Sequence, residues 1–148
     1  MSLAFRRAEE PDRPFIVDSW LESYRTAHAA GLIAMEDWRS VMGAQFERVL
    51  ARPRVETFVA HHPGEVDHVA DLYGWIAVER GHTLPYVLYV YVKQPYRRMG
   101  IARGLFGAAG VKPDAPFHHA CKTAVLSDLK TKIPFARFSP LAVRYAPE

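Results

Sequence analysis

Within about two dozen residues the chain passes from an uncharged aromatic and β-branched run to a short apolar helix, with two arginines and a glycine at the joint. Tyr86-Val-Leu-Tyr-Val-Tyr-Val92 reads as a buried strand, because no residue in it carries a charge. Gln94-Pro-Tyr-Arg-Arg-Met-Gly-Ile follows, and Ile101-Ala-Arg-Gly-Leu-Phe-Gly-Ala-Ala-Gly110 reads as a helix. The first N–H groups of a helix lack intrahelical partners, and the helix dipole favours negative charge beside them. Arg97 and Arg98 add charge-assisted donors, Gly100 lets backbone approach an anion, and Ala102 keeps the first turn slim. An anionic cofactor is therefore expected here, against Arg97, Arg98, Met99, Gly100, Ile101, Ala102 and Arg103. The plainer alternative is a basic surface turn between strand and helix.

The elements on either side can be ordered by their periodicity. Residues 3–7 alternate as a first strand, and Pro11-Asp-Arg-Pro14 opens a helix with Asp12 as N-cap. Ile16, Trp20 and Tyr24 form the stripe of that helix; Trp38, Met42, Phe46 and Val49 form the stripe of a second. Residues 55–60, 69–79 and 84–93 read as strands, with Gly74 marking a bulge. Their connections are too short for crossovers, so they should pair as an antiparallel meander. A strand over 117–121 after the helix makes a βαβ unit, whose two strands run parallel. A last helix over 124–132 and a strand within 135–145 complete the pattern.

Composition narrows the class. A chain of 148 residues, 49% hydrophobic and 24% charged, suits one globular domain without a linker or repeat. Its apolar runs fall short of the ~20 residues needed to cross a bilayer, and the N-terminus lacks a hydrophobic signal core. The expected location is the cytoplasm, and no membrane partner is expected. The single cysteine, Cys121, excludes an intrachain disulfide. The net charge of +3 is spread along the chain, so nucleic acid is not indicated as a partner. Adjacent histidines such as His118 and His119 point to opposite faces of a strand, and no metal site is expected. Gly104-x-x-Gly107-x-x-Gly110 lies within the helix instead of before it, which excludes a dinucleotide-binding turn; these glycines more simply permit close packing.

Arg97-x-x-Gly100-x-Ala102 resembles the R/Q-x-x-G-x-G/A signature of the GNAT acyltransferases, which bind the pyrophosphate of acetyl-coenzyme A. Tyr91-Val92, five residues before Arg97, falls where that family commonly has an apolar pair, and Pro95-Tyr96 matches its usual step before the arginine. The resemblance covers residues 56–132. It implies an α/β (α+β) fold: a mixed, mostly antiparallel sheet with a βαβ acyl-CoA-binding unit and helices on both faces. It also implies acetyl-CoA as donor, an amine as acceptor, and direct attack of the amine on the thioester.

The resemblance further implies that the splayed edge of the 84–93 strand aligns the pantetheine arm, with a backbone N–H near Tyr91 or Val92 as oxyanion donor. The family often has a glutamate on this strand, yet Tyr86–Val92 has no carboxylate; Glu79 is the nearest candidate base. Tyr91 could donate a proton or orient a water. Lys130 stands where the family often has a proton-donating tyrosine, and Thr123 where an asparagine is common. These departures leave one alternative, a module that binds coenzyme A without turnover; the basic charge balance alone leaves another, a relative that modifies nucleic acid. The acceptor site is expected among Trp20, Tyr24, Trp38, Tyr73 and Trp75, with Asp18, Glu22 and Glu36 able to attract an amine. A short C-terminal edge strand suggests a homodimer through residues 135–145.

Overall fold

The structure, a computed structural model, describes residues 2–27, 34–64, 69–112, 115–120 and 136–138. Lys130, Cys121, Thr123 and the helix expected over 124–132 lie outside them, as does all but 136–138 of the segment proposed for dimerisation.

Six strands form one sheet in which spatial order repeats chain order: β1 (Ala4–Arg7), β2 (Val55–His61), β3 (Leu72–Glu79), β4 (Tyr86–Val92), β5 (Phe117–His119) and β6 (Ala136–Phe138). The first four pair antiparallel, as the short connections require; β4–β5 and β5–β6 pair parallel. Helices α1 (Arg13–Ala27) and α2 (Met35–Leu50) cover one face, and α3 (Ile101–Ala108) covers the other. Every residue of β3 is buried, as befits a strand with helices on both sides. None of the described helices is long and apolar enough to cross a membrane.

The α1–α2 face is built from aromatic rings. Trp20 stacks on Phe46 with centroids 4.0 Å apart, and lies 5.4 Å from Trp75 and 5.3 Å from Tyr89. Two serines pin α1 to the sheet. Ser19 Oγ donates to the Phe15 carbonyl (2.6 Å) and accepts from Trp75 Nε1 (2.8 Å). Ser23 Oγ donates to the Ser19 carbonyl (2.6 Å) and lies 2.7 Å from Tyr89 Oη. Trp38 Nε1 donates to the Leu21 carbonyl at 2.8 Å. Trp20 Nε1 is buried without a hydrogen-bond partner, an arrangement that costs about 1–3 kcal/mol.

Two local expectations are corrected. Asp12 does not cap α1: it ends a 3-10 turn, Glu10–Asp12, and its carboxylate reaches backward. It accepts from the Glu9 N–H (2.8 Å) and from two Arg6 nitrogens (2.6 and 3.0 Å), tying β1 to the start of α1. The strand expected from residue 69 begins with a 3-10 turn, Val69–Asp71. The bulge expected at Gly74 is present beside it: Ala60 pairs with Gly74 but His61 with Leu72, which leaves Tyr73 as the extra residue. A Cβ on Gly74 would sit 2.5 Å from the Tyr91 carbonyl oxygen, so this strand crossing admits only glycine.

The α3 glycines divide. A Cβ on Gly104 would collide with the Phe5 ring, whereas one on Gly107 meets nothing within 4 Å. Close packing therefore explains Gly104 and not Gly107. We expect Gly104→Ala to destabilise by about 1–3 kcal/mol through overpacking. Gly107→Ala should be neutral or stabilise by about 0.5 kcal/mol, because it only restricts the unfolded chain. Urea denaturation of the two variants distinguishes these outcomes.

Candidate functional site

The phase of β4 determines which of its groups can meet a ligand. Ala77 pairs with Tyr89 but Val78 with Val87, so Leu88 is an extra residue in β4. Its effect shows in the side chains: Tyr86, Leu88 and Tyr89 all join the α1–α2 core, while Val87, Val90 and Val92 join the α3 core. Two consecutive residues, Leu88 and Tyr89, thus share a face, which an uninterrupted strand forbids. Downstream of the bulge, the Lys93 N–H donates to the Tyr73 carbonyl at 2.9 Å. Alternation then turns the Tyr91 amide toward its partner Trp75 in β3, and turns the Val90 and Val92 amides away from β3.

On that outward side β5 follows β4 only briefly. The Pro85 and Val87 carbonyls accept from the His118 and Ala120 N–H groups, both at 2.9 Å, and the paired register ends at Val87 and His119. From Leu88 to Val92 no described strand pairs with the outward edge of β4. A splay therefore opens beside Val90, and it leads to the N-terminus of α3.

The turn at the mouth of the splay is formed by its backbone. Pro95 opens a 3-10 turn, Gln94–Tyr96, closed by the Tyr96 N–H on the Lys93 carbonyl at 2.9 Å. Arg97 is extended (φ −69°, ψ 152°), Arg98 is left-handed (φ 66°) and Gly100, the α3 N-cap, is left-handed at φ 82°. Gly100 is required by this φ; the space beside it is open, so steric approach is not the constraint. The Gly104 N–H on the Gly100 carbonyl (3.0 Å) closes the first helical turn, leaving the Ile101, Ala102 and Arg103 N–H groups without intrahelical partners. The Ile101 side chain is buried and anchors the turn, while Met99 is exposed.

Arg97 Nε donates to the Val92 carbonyl at 3.0 Å, fastening the turn to the strand end and leaving its terminal nitrogens for other acceptors. Arg97, Arg98 and Arg103 have no carboxylate within salt-bridge distance among the described residues. Three such guanidiniums around a helix N-terminus are arranged to take a multiply charged anion.

On the α1 side of the same strand end lies the half-buried Tyr91, its ring edge-on to Phe15 at 6.2 Å. Burial pushes its phenol above the usual tyrosine range; Arg97 pulls it down and Glu22 pushes it up. Tyr91 therefore senses both the basic turn and a carboxylate of α1. Of the aromatic residues expected to line an acceptor site, Trp20, Trp38, Tyr73 and Trp75 are buried, and Tyr73 lies on the opposite face against Tyr96. Tyr24 is only partly buried. Asp18 pairs with Arg39.

Glu79 is elsewhere. It stands opposite Tyr86, and so at the end of β4 remote from the turn, about 20 Å along the strand from Val92. It is neither a solvated turn residue nor a neighbour of Arg97: it is 3% exposed, with Oε2 at 3.2 Å from Arg52 and Oε1 at 2.7 Å from His82. Arg52 reaches Glu79 only through the β2–β3 register, which sequence spacing does not show; His82 comes from three residues along the hairpin.

Two outcomes follow. Arg98→Gly should stabilise the fold by about 0.5–1 kcal/mol, because it removes a left-handed non-glycine residue, although it also deletes a cation from the turn. Glu79→Gln should destabilise by about 2–3 kcal/mol, since it leaves Arg52 without its charge partner. Chemical denaturation measures both. A stable Glu79→Gln protein would show that the buried pair is not structural.

No family model matches the chain, and no curated protein matches its sequence. Solved structures do match. The histone acetyltransferase HPA2 and related acetyltransferase from Corynebacterium glutamicum superposes with a TM-score of 0.61 at 18% identity, covering 89% of this chain and 83% of its own. The ribosomal-protein-alanine N-acetyltransferase from Brucella melitensis gives 0.51 at 18% identity, with coverages of 99% and 89%. AAC(6')-Iy, solved with the bisubstrate analogue CoA-S-monomethyl-acetylneamine, gives 0.54 at 11% identity, with 91% of each chain covered. The α/β architecture, a mixed and mostly antiparallel sheet flanked by helices, is the fold of the GNAT acetyltransferases.

Proposed function

We propose that this chain is an N-acyltransferase that moves an acetyl group from acetyl-coenzyme A to a primary amine by direct attack. The supporting observation is the splay of β4 from β5 that opens onto the three-arginine turn at the α3 N-terminus. The residues present fit the donor. Arg97, Arg98 and Arg103, with the N–H groups of Ile101 and Ala102, suit a pyrophosphate. The outward edge at Val90 suits the amide-bearing pantetheine arm, which can add to β4 as a short strand.

The oxyanion donor we assign is the Val90 N–H: the register turns the Tyr91 amide into the sheet, and the Val92 amide, though also outward, adjoins the turn assigned to the pyrophosphate. The chemistry supplied by acetyl-coenzyme A is an activated acyl carbon. A departing thiolate needs a proton, and a phenol pushed above its usual range keeps one at neutral pH. Tyr91 is therefore our candidate acid; Lys130, outside the described residues, is the alternative. Glu22 on α1, near enough to perturb Tyr91, is a candidate for drawing a cationic amine to this side. Glu79 takes no part in this scheme.

A second reading, a coenzyme A-binding module without turnover, is favoured by one observation: the carboxylate nearest in sequence to the strand, Glu79, is engaged by Arg52 and His82. Thiol release across a panel of amines separates the two.

Calorimetric titration with acetyl-coenzyme A tests the central reading. Micromolar binding is expected for the native chain, and replacing both Arg97 and Arg98 with Glu should abolish it while circular dichroism stays unchanged. Unaltered affinity in that variant would place the donor elsewhere. If Tyr91 is the acid, the rate should hold through neutral pH and fall only above the ordinary tyrosine range, as the proton is lost. Tyr91→Phe should lower kcat by about 10- to 100-fold and flatten that alkaline limb, with little change in KM for the donor.

A further inference from the structure

We propose that Lys93 is an acceptor within the chain itself: acetyl-coenzyme A held in the splay acetylates its side chain. This rests on the donor-binding reading above and goes beyond it by naming a modification site. Lys93 directly follows Val92, whose carbonyl fastens the arginine turn, and it caps the Gln94–Tyr96 turn at the mouth of the splay. Its backbone is fixed by the N–H bond to the Tyr73 carbonyl, and its carbonyl accepts from Tyr96. The side chain is half-buried on the α1 side, with Nζ 5.2 Å from the centroid of the Phe15 ring that Tyr91 meets edge-on.

A lysine becomes a nucleophile only as the free amine. Burial pushes the Lys93 ammonium below the usual lysine range, against the pull of Asp71 in the opposite direction. A larger share of neutral amine than at an exposed lysine thus stands on the face that Tyr91 shares, where a bound donor raises the local concentration of thioester. In the step itself, neutral Nζ attacks the acetyl carbonyl carbon. The C–N bond forms and the C–S bond breaks. Coenzyme A leaves as the thiolate and takes up the proton shed by the nitrogen, giving acetyl-Lys93 and free thiol. The product lacks the charge that now faces Phe15, so the cation–π contact is lost and one positive charge disappears from the mouth of the donor site.

The test is a time course of the purified protein with acetyl-coenzyme A, read by peptide mass spectrometry. Calorimetry of donor binding is run on the same preparation, and acetyl phosphate serves as a donor without the nucleotide handle. Lys93 should be acetylated at least about tenfold faster than Lys112, Lys122, Lys130 or Lys132, with a rate that saturates in donor. Excess coenzyme A, or the double Arg97→Glu, Arg98→Glu replacement, should remove the preference, and acetyl phosphate should not reproduce it. Donor binding without preferential modification of Lys93 would overturn this inference and leave the proposed function standing. Absence of donor binding would overturn both.

Discussion

One slipped residue in β4 determines what the rest of the molecule can present. Without Leu88 as an extra residue, the pairing of β3 with β4 would keep one phase throughout, and the strand's side chains would alternate to its end. With it, Tyr89 stays on the aromatic side that Tyr86 faces, while Val90 and Val92 pack on α3. The same slip chooses which amides look outward past the end of the β5 ladder. A bulge next to a splayed strand is therefore more than a local irregularity: it sets the backbone hydrogen-bonding code read by anything that enters between β4 and β5.

How much of this was legible in the sequence depends on the range of the interactions involved. The turn from Gln94 to Ala102 was readable because its chemistry is local: a proline opens it, a glycine takes a left-handed φ, and a helix begins. The meander was readable from connection lengths alone. The bulge at Leu88 was not, because Tyr86–Val92 is apolar throughout and such a run offers no polar residue to mark its phase. The surroundings of Glu79 were not legible for a related reason: Arg52, just before β2, and His82, from the hairpin itself, enclose it. Asp12 looked like a cap because it precedes a helix, but Arg6 on the neighbouring strand draws its carboxylate away.

The two cores differ in kind, and the difference suits their places. The α3 side is mainly aliphatic, with a few rings and Phe5 lodged against Gly104, which holds the basic turn to the sheet. The α1–α2 side is aromatic and threaded by hydroxyls: Trp75 to Ser19, Ser23 beside Tyr89. Such contacts are directional, so they fix the rotation of α1 as well as its distance, and with it the placement of Glu22 relative to Tyr91. Within this set the Trp20 indole N–H is an unmet donor, a small cost borne inside a dense stack of rings.

The sheet's spatial order repeats its chain order. Each new strand therefore adds to the edge left by the one before, and none must insert between two already in place. During synthesis the chain up to Val92 already contains the four antiparallel strands and both helices, α1 and α2, of one face. The opposite face of that intermediate is still bare, because Ile101, Leu105 and Phe106 have yet to emerge. The arginine turn is thus assembled together with the helix that covers this apolar face, so the basic turn takes shape only as that face is sealed.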